Sequence, residues 1–579
     1  MNNSNKIERW KEILFHGFYL VMFVMAFHFY KERLYADSAY YIYNTIDSGF
    51  FVVAHQRIVL AFGQILPLAF FYAGTSLKQI LIAWSLGHVL YYYVLFLIAF
   101  YKFKNEGAAL ALILLNVVGQ TWIYFSPMYE ICYGAALLVL FKVMLDENIL
   151  TKMRWFWLIV LEILVITSHP ENFVILFFVF VYDILKNGFR KSPHIAIAVV
   201  FISAIIFKTQ TFSEYEGGKI HFMTDMNQNH LYENLWNKVY LNDLWKLFSE
   251  HYFDLMIVLG LTLVFLVSRK NNLRALFLFS LIAGLLILVN TTNFAHVFSR
   301  YNESLYYPLV SVTIVAFAFE VYDAVKGKWK TILLACCCLL VFFRVSKIHA
   351  NGNYLSLRLL QMDEIVRQAH EIHHGKCIVK IDNAEKERWN LNWSYPMESM
   401  LLSATAGPDS TVSLIADEDY DNRDTTVQLT EDRTIIRRWE ITENEKVRPF
   451  FIFRNENYFS FNSIDTVTPN EFYTGKINLE FTEIEPGFFY DRIFFSVTLS
   501  NSSGKPLSSL PLEKCFLETS CEHNGEVSKS QIPLDIDLYS KYTQILSCPV
   551  EKGSGEFNVT TKLFRNGVEI KSALYTFNR

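Results

Sequence analysis

The chain has 579 residues, 52% of them hydrophobic and 16% aromatic, with a mean hydropathy of +0.23. It is too long for one compact core. A net charge of −4 and a pI near 6.4 offer no basic surface that would gather nucleic acid.

Apolar residues concentrate before residue 350, in runs close to the ~20 residues a helix needs to cross the hydrocarbon layer. The front of the chain therefore reads as a polytopic α-helical membrane domain. The first run, Ile13 to Tyr30, follows Lys6, Arg9 and Lys11 and has no small-residue cleavage pattern after it, which predicts a retained span. Ten more follow at 79–101, 107–125, 129–145, 154–168, 172–186, 193–208, 251–268, 273–292, 304–324 and 330–345, making eleven spans. A further run, Ile58 to Ala73, is short and carries Gly63, Gln64 and Pro67, so it is expected to be interfacial or re-entrant.

Lysine and arginine gather in cytoplasmic loops. Clusters lie at Lys102/Lys104, Lys152/Arg154, Lys186/Arg190/Lys191, Arg269/Lys270/Arg274 and Lys326/Lys328/Lys330. Eleven spans with a cytoplasmic N-terminus put all five inside. The loop 209–250 and everything after about residue 346 are then extracytoplasmic, as in a bacterial inner-membrane protein. If 58–73 crosses as well, the clusters stay inside only when the N-terminus is outside and the Asp37 loop is cytoplasmic. Lys6, Arg9 and Lys11 oppose that arrangement, while Lys31, Arg33 and Arg57 favour it.

In the eleven-span reading one face collects the unusual residues. Asp37, Asp47, His55 and Arg57 lie in the first external loop, and Ser126-Pro-Met-Tyr-Glu130 forms the second turn. Ser168-His-Pro-Glu-Asn172, with His169 and Glu171, forms the third, and the segment 293–303, ending in Arg300, Tyr301 and Glu303, precedes the last pair of spans. Ionisable groups near membrane depth are costly and mark function.

Together these residues resemble the GT-C superfamily of integral membrane glycosyltransferases, over roughly residues 10 to 345. The resemblance rests on an acidic residue early in the first external loop (Asp37-Ser-Ala-Tyr-Tyr-Ile-Tyr-Asn-Thr-Ile-Asp-Ser-Gly49) and the Ser-Pro-x-Tyr-Glu turn at Ser126. It also rests on the His-Pro-Glu turn at His169 and on an Arg-Tyr pair opening a Pro-containing span at Arg300 to Pro308. It implies transfer of a sugar from a polyprenyl-phosphate carrier to a glycan, lipid or protein acceptor. Asp37 would be the catalytic base, with Arg300 and Arg57 on the leaving phosphate. Asp47, His55, Glu130, His169, Glu171, Tyr301 and Glu303 would contact substrate. Some members use a divalent cation, magnesium or manganese; no ligand spacing here demands one. A polymerase or ligase of lipid-linked polysaccharide, and a non-catalytic transporter or scaffold with an external binding domain, are the alternatives.

Each residue also has a structural reading. Asp37 could cap the helix beginning at Ser38, and Asp47 before Ser-Gly suits a turn. His55 and His169 suit hydrogen-bonded interfacial positions, Arg57 and Arg300 could snorkel to headgroups, and Glu130 suits a helix start. Tyr40, Tyr41 and Tyr43 read as core or as a sugar cleft. The aromatic-rich loop 209–250, with Glu-Gly-Gly-Lys219, His221, Asp225 and His230, reads as a lid over the site or as a surface-lying segment.

Beyond residue 350 the composition turns polar. Residues 351–465 are expected to form a small α/β unit, with helices at 354–374 and 394–406 and strands at 377–381 and 411–416. Residues 466–579 alternate polar and apolar between Gly, Asn and Ser turns, the pattern of an antiparallel Ig-like β-sandwich. Cys515, Cys521 and Cys548 could there supply one disulfide. No nucleophile motif or metal spacing appears in this tail, which reads as binding or bracing.

Overall fold

The computed structural model describes residues 3–146, 151–211, 216–218, 221–222, 224, 235–292, 300–380, 392–444, 450–453, 455–461 and the strands between 477 and 578. The chain divides into two units. The first is Met1–Gly352 with two short returns of the chain, Ala404–Pro408 and Val447–Phe451; the second holds the remainder.

The first unit is helical. Its principal helices are α1 (Asn3–His28), α2 (Asp37–Ser48), α3 (Leu60–Tyr72), α4 (Leu77–Leu97), α5 (Glu106–Leu115), α6 (Glu130–Asp146), α7 (Lys152–Ser168), α8 (Asn172–Asn187) and α9 (Lys191–Gln210). They continue with α10 (Lys238–His251), α11 (Phe253–Ser268), α12 (Asn272–Thr292), α13 (Arg300–Ala316) and α14 (Lys328–Glu371), whose residues up to Gly352 belong to this unit. Six helical segments are long and apolar enough to cross a membrane, and a seventh counts if α10 and α11, bent by 87°, are taken as one span. The difference from eleven lies in helix length: α6, α7, α8 and α11 have 16 or 17 residues and α5 has 10.

The run expected to be one span over 107–125 is broken for a visible reason. After Leu115 the chain leaves the helix, passes Gly119 at φ +73°, where a Cβ would sit 2.8 Å from Val310, and ends in a tight turn at Ile123–Phe125. The Glu303 carboxylate accepts hydrogen bonds from the backbone amides of Thr121, Trp122 and Ile123 at 2.7–2.8 Å. Irregular backbone at membrane depth is tolerated where protein buries and satisfies it, and nearly every residue from 116 to 126 is buried.

α13 and its extension to Tyr322 form the centre of the unit, with 94% of the apolar window buried, against 67% for α4 and 17–28% for the other four long segments. The 13-residue α3 rises about 20 Å, short of the ~30 Å hydrocarbon layer. It packs closely on α4, where a Cβ on Gly87 would lie 2.7 Å from the Gly63 carbonyl oxygen. Small residues permit such backbone approach.

Ion pairs gather the lysine and arginine clusters at one end of the helices. Lys11 and Lys330 share Glu106, Lys186 and Arg274 share Glu320, and Asp183 meets Lys142, Arg190 and His194.

In the second unit, β1 (Lys376–Val379), β2 (Ser413–Ala416) and β5 (Phe459–Phe461) form a parallel sheet in the order β2-β1-β5. Helix α15 (Tyr395–Ser403) lies against β2, and its Ser399 and Ser403 hydroxyls accept from the amides of Leu414 and Val412. Arg358, on the later part of α14, forms a buried pair with Glu398. A hairpin of β3 (Arg433–Arg437) and β4 (Glu440–Glu443) stands beside this sheet.

The tail forms two antiparallel sheets. One has three strands, β10 (Lys541–Pro549), β7 (Arg492–Asn501) and β6 (Ile477–Ile484). The other has four, β12 (Val568–Asn578), β11 (Glu556–Arg565), β8 (Cys515–His523) and β9 (Glu526–Pro533). The side chains of Cys515, Cys521 and Cys548 lie outside the described set, and the disulfide expectation with them.

Candidate functional site

Opposite the cation-rich end, the chain turns sharply between α1 and α2. Ala36 adopts φ +53°, ψ −116°, a strained conformation for a residue with a Cβ, held by full burial. The Ser38 hydroxyl donates to the Arg33 carbonyl and accepts from the Trp84 indole N–H at 2.8 Å, fixing the start of α2. The helix begins at Asp37 with no side-chain cap. Asp37 is thus not the N-cap, and its carboxylate pairs with Arg300 at 2.7 Å.

Arg300 opens α13. Its guanidinium lies over the rings of Tyr35 and Tyr129, 5.6 and 5.5 Å from their centroids, and its Nη1 donates to the Ser126 hydroxyl at 3.4 Å. Its Nε is buried without a hydrogen-bond partner among the described residues.

A second cluster adjoins the first, since Asp37 and Glu130 both act electrostatically on Tyr41 and Tyr129. Arg57 reaches Glu130 and Glu216, each at 3.1 Å, and Lys208 reaches Glu216 at 3.1 Å and the His55 carbonyl at 2.9 Å. The loop carrying Arg57 is held by left-handed backbone at His55 and Gln56. It is also held by Gln64, whose amide exchanges hydrogen bonds with the Val52 backbone at 2.7 and 2.8 Å. The His-Pro-Glu turn faces the same cations: burial, then Arg57 and Lys208, hold the His169 imidazole well below its usual range. Burial, partly offset by Arg57, pushes the Glu171 carboxyl up to about 8. Burial would also raise Glu216, but hydrogen bonds from Lys208 and Arg57 hold it below the ordinary carboxylate range. With Glu171 mainly protonated at neutral pH, the three cations Arg57, Lys208 and Arg300 face three carboxylates, Asp37, Glu130 and Glu216.

Of the residues singled out in the sequence, the structure brings together Asp37, His55, Arg57, Glu130, His169, Glu171 and Arg300. Asp47 lies at the far end of α2, about 15 Å along the helix from Asp37. Tyr301 is 45% exposed. Glu303 is fully buried, its carboxylate engaged by the 121–123 amides. Lys219, Asp225, His230 and residues 293–299 lie outside the described set.

Lys208 is not singled out in the sequence, although a lone cation at the end of an apolar run expected to face outward is itself a signal against the positive-inside tendency. Among the described residues no group of three or more His, Cys, Asp and Glu side chains is arranged to hold a metal ion. Glu130 and Glu216 are engaged by Arg57 and Lys208 and do not suit a resident cation. Compared with known protein families, curated proteins and solved structures, the chain matches none.

Proposed function

We propose that the chain is an integral membrane glycosyltransferase of the GT-C kind, moving a sugar from a polyprenyl-phosphate donor to a glycan, lipid or protein acceptor. The observation that carries this reading is the meeting of Asp37 and Arg300, remote in sequence, at 2.7 Å beside Ser126 and Tyr129. A base and a phosphate-binding cation are the two groups such a displacement needs. The acceptor oxygen bonds to the anomeric carbon, the carbon–oxygen bond to the phosphate breaks, Asp37 takes the acceptor proton, and Arg300 holds the departing lipid phosphate. Inversion at the anomeric carbon follows from a single displacement.

Before substrate binds, each partner stands in for the other's ligand. A lipid phosphate competes for Arg300 and frees the Asp37 carboxylate to take the acceptor proton. Arg57 is already shared by two carboxylates, so we assign it the shape of the site and give the phosphate role to Arg300. Glu171, protonated and with Oε2 buried and unpartnered among the described residues, is suited to donate to a sugar hydroxyl.

In this reading the shorter helices also cross, giving eleven spans and a cytoplasmic N-terminus. The alternation of the cation-rich and Asp37 ends along the chain supports this, and the second unit is then extracytoplasmic, its two terminal sheets the faces of a sandwich. The bend between α10 and α11, with the Asp254–Arg344 pair beside it, favours the transporter alternative only weakly. α10 carries Lys238, Asp243, Lys246 and Glu250 and suits the membrane surface.

The test is transfer from a panel of polyprenyl-phosphate sugars by the purified chain in lipid vesicles, read as release of polyprenyl phosphate. Turnover that Asp37→Asn abolishes supports the reading. Absence of turnover across the panel, or turnover indifferent to Asp37, rejects it.

A further inference from the structure

Of the three carboxylates in the candidate site, Asp37 and Glu130 open the long helices α2 and α6, whereas Glu216 lies in the segment 209–250 between α9 and α10. Glu216 is also the one that two cations share. Arg57 Nη2 reaches its Oε1 and Lys208 Nζ its Oε2, each at 3.1 Å, so each oxygen has one cation. Arg57 Nη1 meanwhile holds Glu130. The third donor group, Nε, shares an edge of the guanidinium plane with Nη2 and is buried with no hydrogen-bond partner among the described residues. With its second oxygen on Lys208, Glu216 uses half of that edge; a phosphate has a third oxygen for the other half, and guanidinium edges suit phosphate in this bidentate manner.

Charge points to the same class of ligand. Among the described residues Glu216 is the only carboxylate on Lys208. The titratable neighbours supply no replacement. Burial, then Arg57 and Lys208, keep His169 neutral, burial and Arg57 hold His55 below its usual range, and burial and Glu130 keep the Tyr41 hydroxyl protonated. Glu171 is mainly protonated at neutral pH. Asp37 and Arg300 offset each other. When Glu216 moves away, Arg57 and Lys208 therefore face Glu130 alone, a surplus of one positive charge, and a buried cation without a counter-charge is costly. Another anion has to take the place that Glu216 leaves.

We infer that Lys208 and the Nε–Nη2 edge of Arg57 form a second phosphate subsite beside Arg300, which Glu216 fills in the resting protein and an incoming phosphate group takes over. Glu130 stays on Nη1, so Arg57 keeps its place in the site. The phosphate belongs either to a phosphorylated acceptor or to the second phosphate of a diphosphate-linked donor. The choice between these sources rests on the sugar-transfer reading; the subsite itself does not.

The experiment uses the full chain in mild detergent carrying Arg300→Met, which removes the other phosphate-binding cation. Binding of radiolabelled inorganic phosphate is measured by equilibrium dialysis, with no donor and no turnover. Glu216→Gln should tighten binding by at least about tenfold, the worth of one charge-assisted hydrogen bond. Adding Lys208→Gln should remove that gain, and Lys208→Arg in its place should retain it. Unfolding followed by tryptophan fluorescence gives a second readout: phosphate should raise the midpoint of the Glu216→Gln chain and not that of the chain that also carries Lys208→Gln. With Arg300 in place, polyprenyl diphosphate that displaces labelled phosphate more strongly than polyprenyl phosphate, an advantage lost in Lys208→Gln, gives the subsite to the donor; equal displacement of bound phosphate by the two gives it to the acceptor. Absence of phosphate binding in a folded Glu216→Gln chain, or binding indifferent to Lys208, would overturn the subsite. Failure of sugar transfer across the donor panel would leave a positive phosphate result standing, so the two readings fail separately.

Discussion

Arg57 offers the sharpest test of how the candidate site is held. It is 8% exposed, with Glu130 and Glu216 each 4% exposed. Replacing it with methionine keeps an unbranched stem of similar shape and removes the guanidinium with its charge and hydrogen bonds. Glu216 then still has Lys208, but Glu130 is left without a counter-ion among the described residues. Stranding one buried carboxylate costs about 3–5 kcal/mol. Adding Glu130→Gln removes the stranded charge, and the double variant should recover most of that loss, a coupling of about 2–3 kcal/mol. The assay is denaturant unfolding of the full chain in mild detergent, followed by tryptophan fluorescence, for wild type, both single variants and the double. A loss below about 1 kcal/mol in Arg57→Met, or simple additivity in the double variant, would refute the claim that a buried ion pair organises this site.

Other consequences follow from single positions. Glu171 has a carboxyl raised to about 8 from an ordinary value of 4.5, so the folded state holds a proton that the unfolded state releases. Its contribution to stability is present below about pH 4.5 and is lost as pH rises to 8, with a slope of at most about 1.4 kcal/mol per pH unit; Glu171→Gln should flatten stability against pH in that window. Gly87→Ala forces α3 and α4 apart at the Gly63 carbonyl and should cost about 1–3 kcal/mol. Gly284→Ala, with open space around it, should be neutral or stabilising by up to ~1 kcal/mol, which thermal unfolding of the pair will show. Gln64→Leu leaves the Val52 amide and carbonyl without that partner and should cost about 1–3 kcal/mol, with faster proteolysis of the 49–57 loop as the readout.

The membrane character of the front was legible because hydropathy needs only composition and run length. The convergence of Asp37, Glu130, Glu171 and Arg300 was legible because each stands where an apolar run meets a turn, and alternating runs return such turns to the same end. The extent of the helices was not. Residues 116–125 are as apolar as a span, and what ends the helix is a close approach at Gly119 and a carboxylate supplied by Glu303 from a distant part of the chain. One partner of Arg57 was hidden for the same reason: Glu216 lies in the segment 209–250, whose aromatic composition says nothing of where it docks, and Lys208 looked like the tail of a span. Asp37 reads first as a base, with a helix cap as the structural alternative. The backbone at Ala36, which starts the helix one residue early and turns the carboxylate toward Arg300, excludes the cap.

The most direct measurement is the single-turnover rate of sugar transfer in vesicles by wild type, Asp37→Asn and Arg300→Met, with donor affinity measured on the same preparations. Loss of proton transfer should slow Asp37→Asn by about 10²–10⁴ with donor binding retained, whereas Arg300→Met should lose donor affinity as well as rate. Wild-type transfer by a folded Asp37→Asn protein would contradict the account.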